Sequence, residues 1–329
     1  MASNDADVRP STTFSVVIPT YQRERIIGRA IESAIAQTLP ADEIIVVDDG
    51  STDSTQSVLR TFASVRSLRQ PQSGSAAARN RGVQEARSSW IAFLDSDDWW
   101  ESDHLERIAA AIEGTEGKAD LYFDDTGAVM HTFDGEREGL RVGSLWETAG
   151  FSPGNRFTLV PDASNWVLMP QQPMMLQSSV IRRETYLEVG GLWNRLPLRH
   201  DTHLFLRLGL GRAACAVSGI GVRMTDEGGE DRLTRLVTPS SRPYWDETVL
   251  LYDDVVRTTR RGTDARRVLA ERAASGYWRR ARLQLSSRQP LAAMGSAARC
   301  IRMKPRFFVG RFPALVSKAA LLTKVTIKG

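Results

Sequence analysis

The first hundred residues alternate apolar runs with stretches of helical spacing, and this alternation restricts the chain to a small set of folds. Phe14 to Ile18, Ile44 to Val47 and Trp90 to Leu94 are almost continuously apolar, as strands covered on both faces of a sheet must be. Between the first two, Ile27, Ala30, Ile31, Ala34 and Ile35 share one helical face within Arg25 to Gln37, and Pro40 closes that helix. Ser51 or Thr52 is placed to cap a second helix running through Phe62, and a third covers Ser75 to Ala86. Strand, helix and strand in this order build βαβ units, so the fold class is α/β with a mostly parallel central sheet. A helix over Glu101 to Ile112, a strand at Leu121 to Phe123, two short elements around Gly190-Gly191 and a helix from His200 to Leu210 are expected further on. Residues 134 to 175 are rich in Gly, Pro and Trp without periodicity and read as specificity loops.

In an open parallel sheet the ligand lies beyond the carboxyl ends of the strands, where strand order reverses. Three polar clusters fall at such ends: Pro19-Thr20-Tyr21 with Arg23, then Asp48-Asp49-Gly50-Ser51, then Asp95-Ser96-Asp97-Asp98. The third packs three carboxylates into four residues directly behind a buried strand. Asp95 and Asp97 point to the same side, and Asp98 follows round the turn. Like charges this close raise one another's pKa unless a cation or hydrogen-bond donors neutralise them. Hard oxygen ligands favour Mg or Mn, which keep sites open for substrate phosphates. The competing explanation is a solvated turn, or an aspartate capping the helix near Glu101. No G-x-G-x-x-G follows the first strand and no G-x-x-x-x-G-K-[ST] occurs, so neither a dinucleotide fingerprint nor a P-loop is available to hold phosphate.

Four segments, Val16 to Tyr21, Ile45 to Asp53, Gly74 to Asn80 and Phe93 to Asp98, resemble in order and spacing the successive motifs of family 2 glycosyltransferases. The resemblance covers residues 14 to 100 and resumes over 177 to 211. It implies a GT-A fold, the Rossmann-like architecture of nucleotide-diphospho-sugar transferases. It also implies inverting transfer of a sugar from a UDP-, GDP- or dTDP-type donor to a hydroxyl of a carbohydrate or glycolipid acceptor, with Mg or Mn as cofactor. Carried over residue by residue, it places Pro19, Thr20 and Tyr21 in the nucleotide pocket beside Arg23, with Asp49 on the base and Asp48 supporting it. Arg79 would lie near the sugar or diphosphate. Asp95, Ser96 and Asp97 would border ribose and diphosphate, with Asp97 and Asp98 as metal ligands.

The segment Val189 to Trp193 followed by Arg199-His200-Asp201 resembles the family's Gly-Gly turn and the acidic pair that opens a helix. Asp201 falls on the expected catalytic base. His200 stands where the family usually has Glu, a departure that changes the charge beside Asp201. Trp193 could stack on a sugar or pack in the core, and His203 is expected to pack or cap rather than to bind metal. Arg182 and Arg183 could face phosphate or acceptor, or form surface salt bridges, and a late metal ligand could come from Asp226, Glu227 or Asp231. The Gln-x-x-Arg-Trp motif of processive relatives is absent, so one sugar per encounter is expected. A sugar-phosphate nucleotidyltransferase is the first alternative, but it should carry a Gly-rich, Arg-containing loop where this chain has Pro19-Thr20-Tyr21-Gln22. A catalytically silent nucleotide-sugar-binding module is the second.

Charge is distributed unevenly. Residues 255 to 329 carry 18 Lys and Arg against 2 acids, and residues 1 to 254 carry 25 against 37. The expected organisation is a leader over 1–13, a GT-A domain over 14–240 and a basic helical extension over 241–329. Such an extension fits peripheral contact with an anionic membrane, or a helical bundle that covers the acidic body; nucleic acid is not an expected partner. No run reaches the roughly 18 apolar residues a membrane span needs, and two widely separated cysteines suggest no disulfide framework. A cytoplasmic protein is expected, with contact at the inner membrane face.

Overall fold

The computed structural model describes residues 12–132, 135–138, 149–151, 154–225 and 241–305. The leader up to residue 11, Asp226, Glu227, Asp231 and the apolar tail residues from Phe307 onward lie outside the described residues. The chain divides into two compact units, Met1–Gly229 and Glu230–Gly329.

The first unit opens with β1 (Phe14–Thr20), α1 (Ile27–Ile35), β2 (Glu43–Asp48), α2 (Thr55–Leu59), β3 (Val65–Arg69), α3 (Ser75–Glu85) and β4 (Trp90–Phe93). These strands pair in the order β3-β2-β1-β4, all parallel. The chain therefore runs outward from β1 and then returns to its other side, which opens a crevice at the carboxyl ends of β1 and β4. All seven residues of β1 and all four of β4 are buried. Helix α1 seats Ile27, Ala30, Ile31 and Ala34 against them. It stops short of the expected Gln37 because that side chain turns away, donating to the Glu101 carbonyl at 2.8 Å and accepting from the Leu105 amide at 3.0 Å. Helix α2 begins at Thr55 rather than Ser51, since the Ser51 and Thr55 hydroxyls accept the amides of Gln22 and Arg23 instead. Helix α3 lies close on β1 at Gly82, where a Cβ would come within 2.4 Å of Val17 Cγ1.

The second half supplies β5 (Asp98–Trp100), α4 (His104–Gly114), β6 (Leu121–Thr132), β7 (Gly135–Glu138), β8 (Phe157–Val160), α5 (Ser164–Val167), β9 (Ser179–Arg182), α6 (Arg183–Glu188), α7 (His200–Gly209) and β10 (Ala214–Thr225). The sheet continues as β4-β9-β6-β10-β5, with β7 on β6 and β8 on β10, so the described strands form one ten-stranded sheet. Its first half is parallel, as expected. Beyond β4 it becomes mixed, because β9 runs antiparallel to both β4 and β6, and β5 and β8 run antiparallel to β10. Residues 134 to 175 contribute β7, β8 and α5 as well as loops. Arg182 and Arg183 are structural ties: Arg182 bonds Asp120 at 2.8 Å and lies 4.4 Å over the Trp90 ring, and Arg183 bonds the Val83 carbonyl.

A buried polar cluster fixes β10, whose register against β6 shifts between Ala216 and Val222. Arg107 donates to the Ser218 and Ile220 carbonyls, each at 2.8 Å, and to Asp124 at 3.1 Å. Asp124 also meets His104 Nδ1 at 2.7 Å. Burial pushes the Asp124 carboxyl above its ordinary value, against the pull of His104 and Arg107. Gly221 is required there, since a Cβ would meet Asp124 Oδ2 at 1.8 Å.

The second unit consists, among the described residues, of α8 (Arg242–Thr258), α9 (Asp264–Ser286) and α10 (Pro290–Met303). Val249, Ala274, Tyr277, Trp278 and Cys300 form its core. The helices are separated at Gly262, with φ 83°, and before Pro290, and Thr263 caps α9 by accepting from the Arg266 amide at 3.2 Å. Among the described residues no helix is long and apolar enough to cross a membrane.

Candidate active site

The first two strand-end clusters are tied into one loop assembly. Gln22, in the left-handed region at φ 54°, donates its amide to Ser51 Oγ and accepts the Thr52 and Asp53 amides on Oε1. This bracket holds Tyr21 exposed at the loop and Pro19 and Thr20 buried beneath it. Thr20 Oγ1 is buried without a hydrogen-bond partner among the described residues. Arg23 is partly exposed and caps its own loop through the Gln22 carbonyl at 3.4 Å.

The two aspartates of the second cluster divide their work. Asp48 is fully buried and closes its turn by accepting the Ser51 amide at 3.0 Å, with Arg69 at 3.6 Å. Asp49 reaches the other way, accepting from Gln70 Nε2 at 2.7 Å and the Ser73 amide at 2.8 Å on Oδ1, and from the Gly74 amide at 2.7 Å on Oδ2. It thereby pins the loop that leads into α3. A carboxylate has about four acceptor sites, so Oδ2 keeps capacity for one more donor.

Helix α3 then joins the clusters to the far side of the crevice. Arg79, buried, donates to Asp95 through Nη2 and to His200 Nε2 through Nη1 at 3.2 Å. His200 Nδ1 lies 3.0 Å from the Leu196 carbonyl. A carbonyl only accepts, so Nδ1 carries the proton and Nε2 is the acceptor for Arg79. Burial first, and the Arg79 charge second, hold this imidazole below its ordinary value, and it is neutral at pH 7. The next residue, Asp201, sits in the first turn of α7, where Oδ1 accepts the Thr202 amide at 2.6 Å.

Asn80, beside Arg79, holds the Gly-Gly turn, a role that no local sequence pattern signals. Its Nδ2 donates to the Leu192 carbonyl at 2.8 Å, and its Oδ1 accepts from the Leu192 amide at 2.9 Å and from Tyr186 Oη at 2.6 Å. Gly191, at φ 62°, passes so close that a Cβ would come within 2.6 Å of that Oδ1. Arg207 adds bonds to the Val189 and Gly191 carbonyls. Trp193, which follows the turn, stacks on buried His203 with ring centroids 4.8 Å apart and planes 19° apart. His203 thus packs, as expected.

Asp95, Asp97 and Asp98 bring carboxylate oxygens within 4.8 Å of one another. The turn is closed by the Asp98 amide on the Asp95 carbonyl at 3.1 Å, and Asp98 enters β5 rather than capping α4, which starts after Asp103. All three donors are hard oxygens, as a Mg or Mn ion requires. Arg79 engages Oδ1 of Asp95.

The neutral His200 has a consequence for stability. Below about pH 6.5 the unfolded imidazole takes a proton that the folded one resists. The folded-state pKa is lowered, so this contribution is complete at neutral pH and declines as pH falls through that value. Urea midpoints measured from about pH 7.5 to about pH 5.5 should fall more steeply for the native chain than for His200→Gln. Equal slopes would mean that His200 is not held neutral.

Residues 15–154 match the family model described as glycosyl transferase family 2. Over 112 residues the chain is 34% identical to the glycosyltransferase GlyA of Streptococcus pneumoniae serotype 4, covering 33% of this chain and 16% of GlyA. The matched region spans 16% to 44% of the length of the first curated relatives. The fold is similar to that of S. aureus TarS 1-349 solved with UDP, at a TM-score of 0.65 and 18% identity, covering 94% of this chain and 87% of that one. It is also similar to the mannosyltransferase PcManGT of Pyrobaculum calidifontis solved with GDP-Man and Mn2+, at a TM-score of 0.52 and 16% identity, covering 96% and 89%.

Proposed function

We propose that the chain, whose residues 15–154 match the family model described as glycosyl transferase family 2, is an inverting, non-processive glycosyltransferase. It would use a nucleoside diphosphate sugar as donor and a hydroxyl of a carbohydrate or glycolipid as acceptor, working in the cytoplasm at the inner membrane face. The observation that carries the proposal is the Arg79 bridge, which joins the third strand-end cluster through Asp95 to the start of α7 through His200. Donor and acceptor chemistry would meet across that bridge. We assign the transfer domain to residues 14–240 and treat 241–329 as a helical extension.

In this scheme Tyr21 covers the base, and the remaining acceptor capacity of Asp49 Oδ2 takes a base N–H. The unpartnered Thr20 hydroxyl is buried at the same strand end and supplies a donor or acceptor to the nucleotide. Inversion is a direct displacement at the anomeric carbon, so the acceptor hydroxyl loses its proton as the diphosphate departs on the opposite face. Asp201 receives that proton. The Arg79 guanidinium has one carboxylate and one neutral imidazole as partners, so the trio is formally neutral and adds no excess negative charge facing the diphosphate. A Mg or Mn ion held by Asp97 and Asp98 would offset the negative charge that collects on the leaving group.

Donor binding is testable without an acceptor. UDP, GDP and dTDP, each with Mn, should be compared for their effect on thermal unfolding; at about 100 times Kd a ligand stabilises by about 2.7 kcal/mol. At least one diphosphate should raise Tm clearly. No response to any of them would contradict the proposal.

A further inference from the structure

We propose that the exposed face of α10 docks on an anionic lipid surface. The inference deepens the inner-membrane placement given above, and it stands on the helical unit alone, independent of donor chemistry. Ala293, Ser296 and Cys300 turn one side of α10 into its unit's interior. The opposite side carries Leu291, Met294, Ala298 and Ile301, recurring three or four residues apart and so forming one stripe. Leu291 is 83% exposed, Met294 67% and Ile301 41%. Together they make up three of the six large apolar side chains that are exposed among the described residues. A helix that only closed a three-helix core would have polar residues here.

Charge selects the occupant. Arg282, Arg288 and Arg302 are exposed around this helix and form no ion pair among the described residues. From Arg272 to Gly329 the sequence holds 13 Lys and Arg and no Asp or Glu. An apolar stripe flanked by cations fits a bilayer, where basic side chains reach lipid phosphates while the apolar ones enter the boundary between headgroups and acyl chains. Nucleic acid would use the arginines and leave Leu291 and Met294 in water.

The test is co-sedimentation of the full chain with vesicles of phosphatidylcholine, alone or with about one third phosphatidylglycerol. Native protein should bind the anionic vesicles and not the neutral ones. The variant Leu291→Ser/Met294→Ser/Ile301→Ser, and separately Arg282→Glu/Arg288→Glu/Arg302→Glu, should each weaken that binding by roughly 10-fold or more. Stabilisation by nucleoside diphosphate should be unchanged in both, which separates failure of this surface from failure of the donor site. Native-level vesicle binding by the serine variant would overturn the proposal. So would equal binding to neutral vesicles, no binding to either kind, or an apolar stripe whose loss abolishes only self-association in light scattering.

Discussion

Asp201→Asn is expected to lower sugar transfer by about 10²- to 10⁴-fold, the range for loss of a positioned general base. Nucleotide affinity should stay within a few-fold of native. The substitution is nearly isosteric, and the Thr202 amide that Asp201 Oδ1 accepts at 2.6 Å finds an amide oxygen in its place. The start of α7 is also fixed independently, by His200 on the Leu196 carbonyl and on Arg79. A loss of transfer with intact nucleotide binding therefore reports chemistry rather than folding. Full transfer in this variant would remove Asp201 from the mechanism.

Asp98→Asn should be nearly as damaging. Asp98 is buried, its backbone pairs with Met224 in the ladder of β5 on β10, and an asparagine can keep that place. Losing one carboxylate should weaken binding of free Mn, read by electron paramagnetic resonance, and lower transfer by about 10²- to 10³-fold. Asp95→Asn should behave differently, because Asp95 serves Arg79. Removing its charge leaves the buried guanidinium with only a neutral imidazole, at a cost of roughly 3–5 kcal/mol of stability. Native Mn affinity in Asp98→Asn would place the ion elsewhere.

Strands buried on both faces were legible from the chain alone, since β1, β2 and β4 must be apolar throughout to lie between helices. Strand β10 was not expected as one element. Its Ser218, Gly219 and Gly221 interrupt the period of two, and its pairing with β6 is held across a register shift by Arg107, a residue over 100 positions away. Strand β5 is Asp98-Trp99-Trp100, too short and too mixed to show a pattern. The candidate site was legible where it is local: three polar clusters at three strand ends. What joins them was hidden because it consists of hydrogen bonds between distant positions. Asn80 to Leu192 spans 112 residues and Arg79 to His200 spans 121. The choice for Trp193, sugar or core, depended likewise on a partner, His203, that only the folded α7 brings beneath it.

His200 changes meaning in this setting. A glutamate there would give Arg79 a second carboxylate and make the trio of residues 79, 95 and 200 anionic; the neutral imidazole accepts a hydrogen bond and leaves the trio formally neutral. In the proposed scheme Arg79 therefore borders the donor site as well as tying α3 to α7.

The most direct measurement follows the stereochemistry. With the donor that gives the largest thermal stabilisation, slow transfer of the sugar to water in the presence of Mn should be watched by proton NMR before the released sugar mutarotates. Direct displacement assisted by Asp201 predicts that the first anomer to appear has the configuration opposite to the donor's, and that Asp201→Asn releases none. A first product with the donor's own configuration would contradict the account, as would nucleotide binding with no sugar released by the native chain.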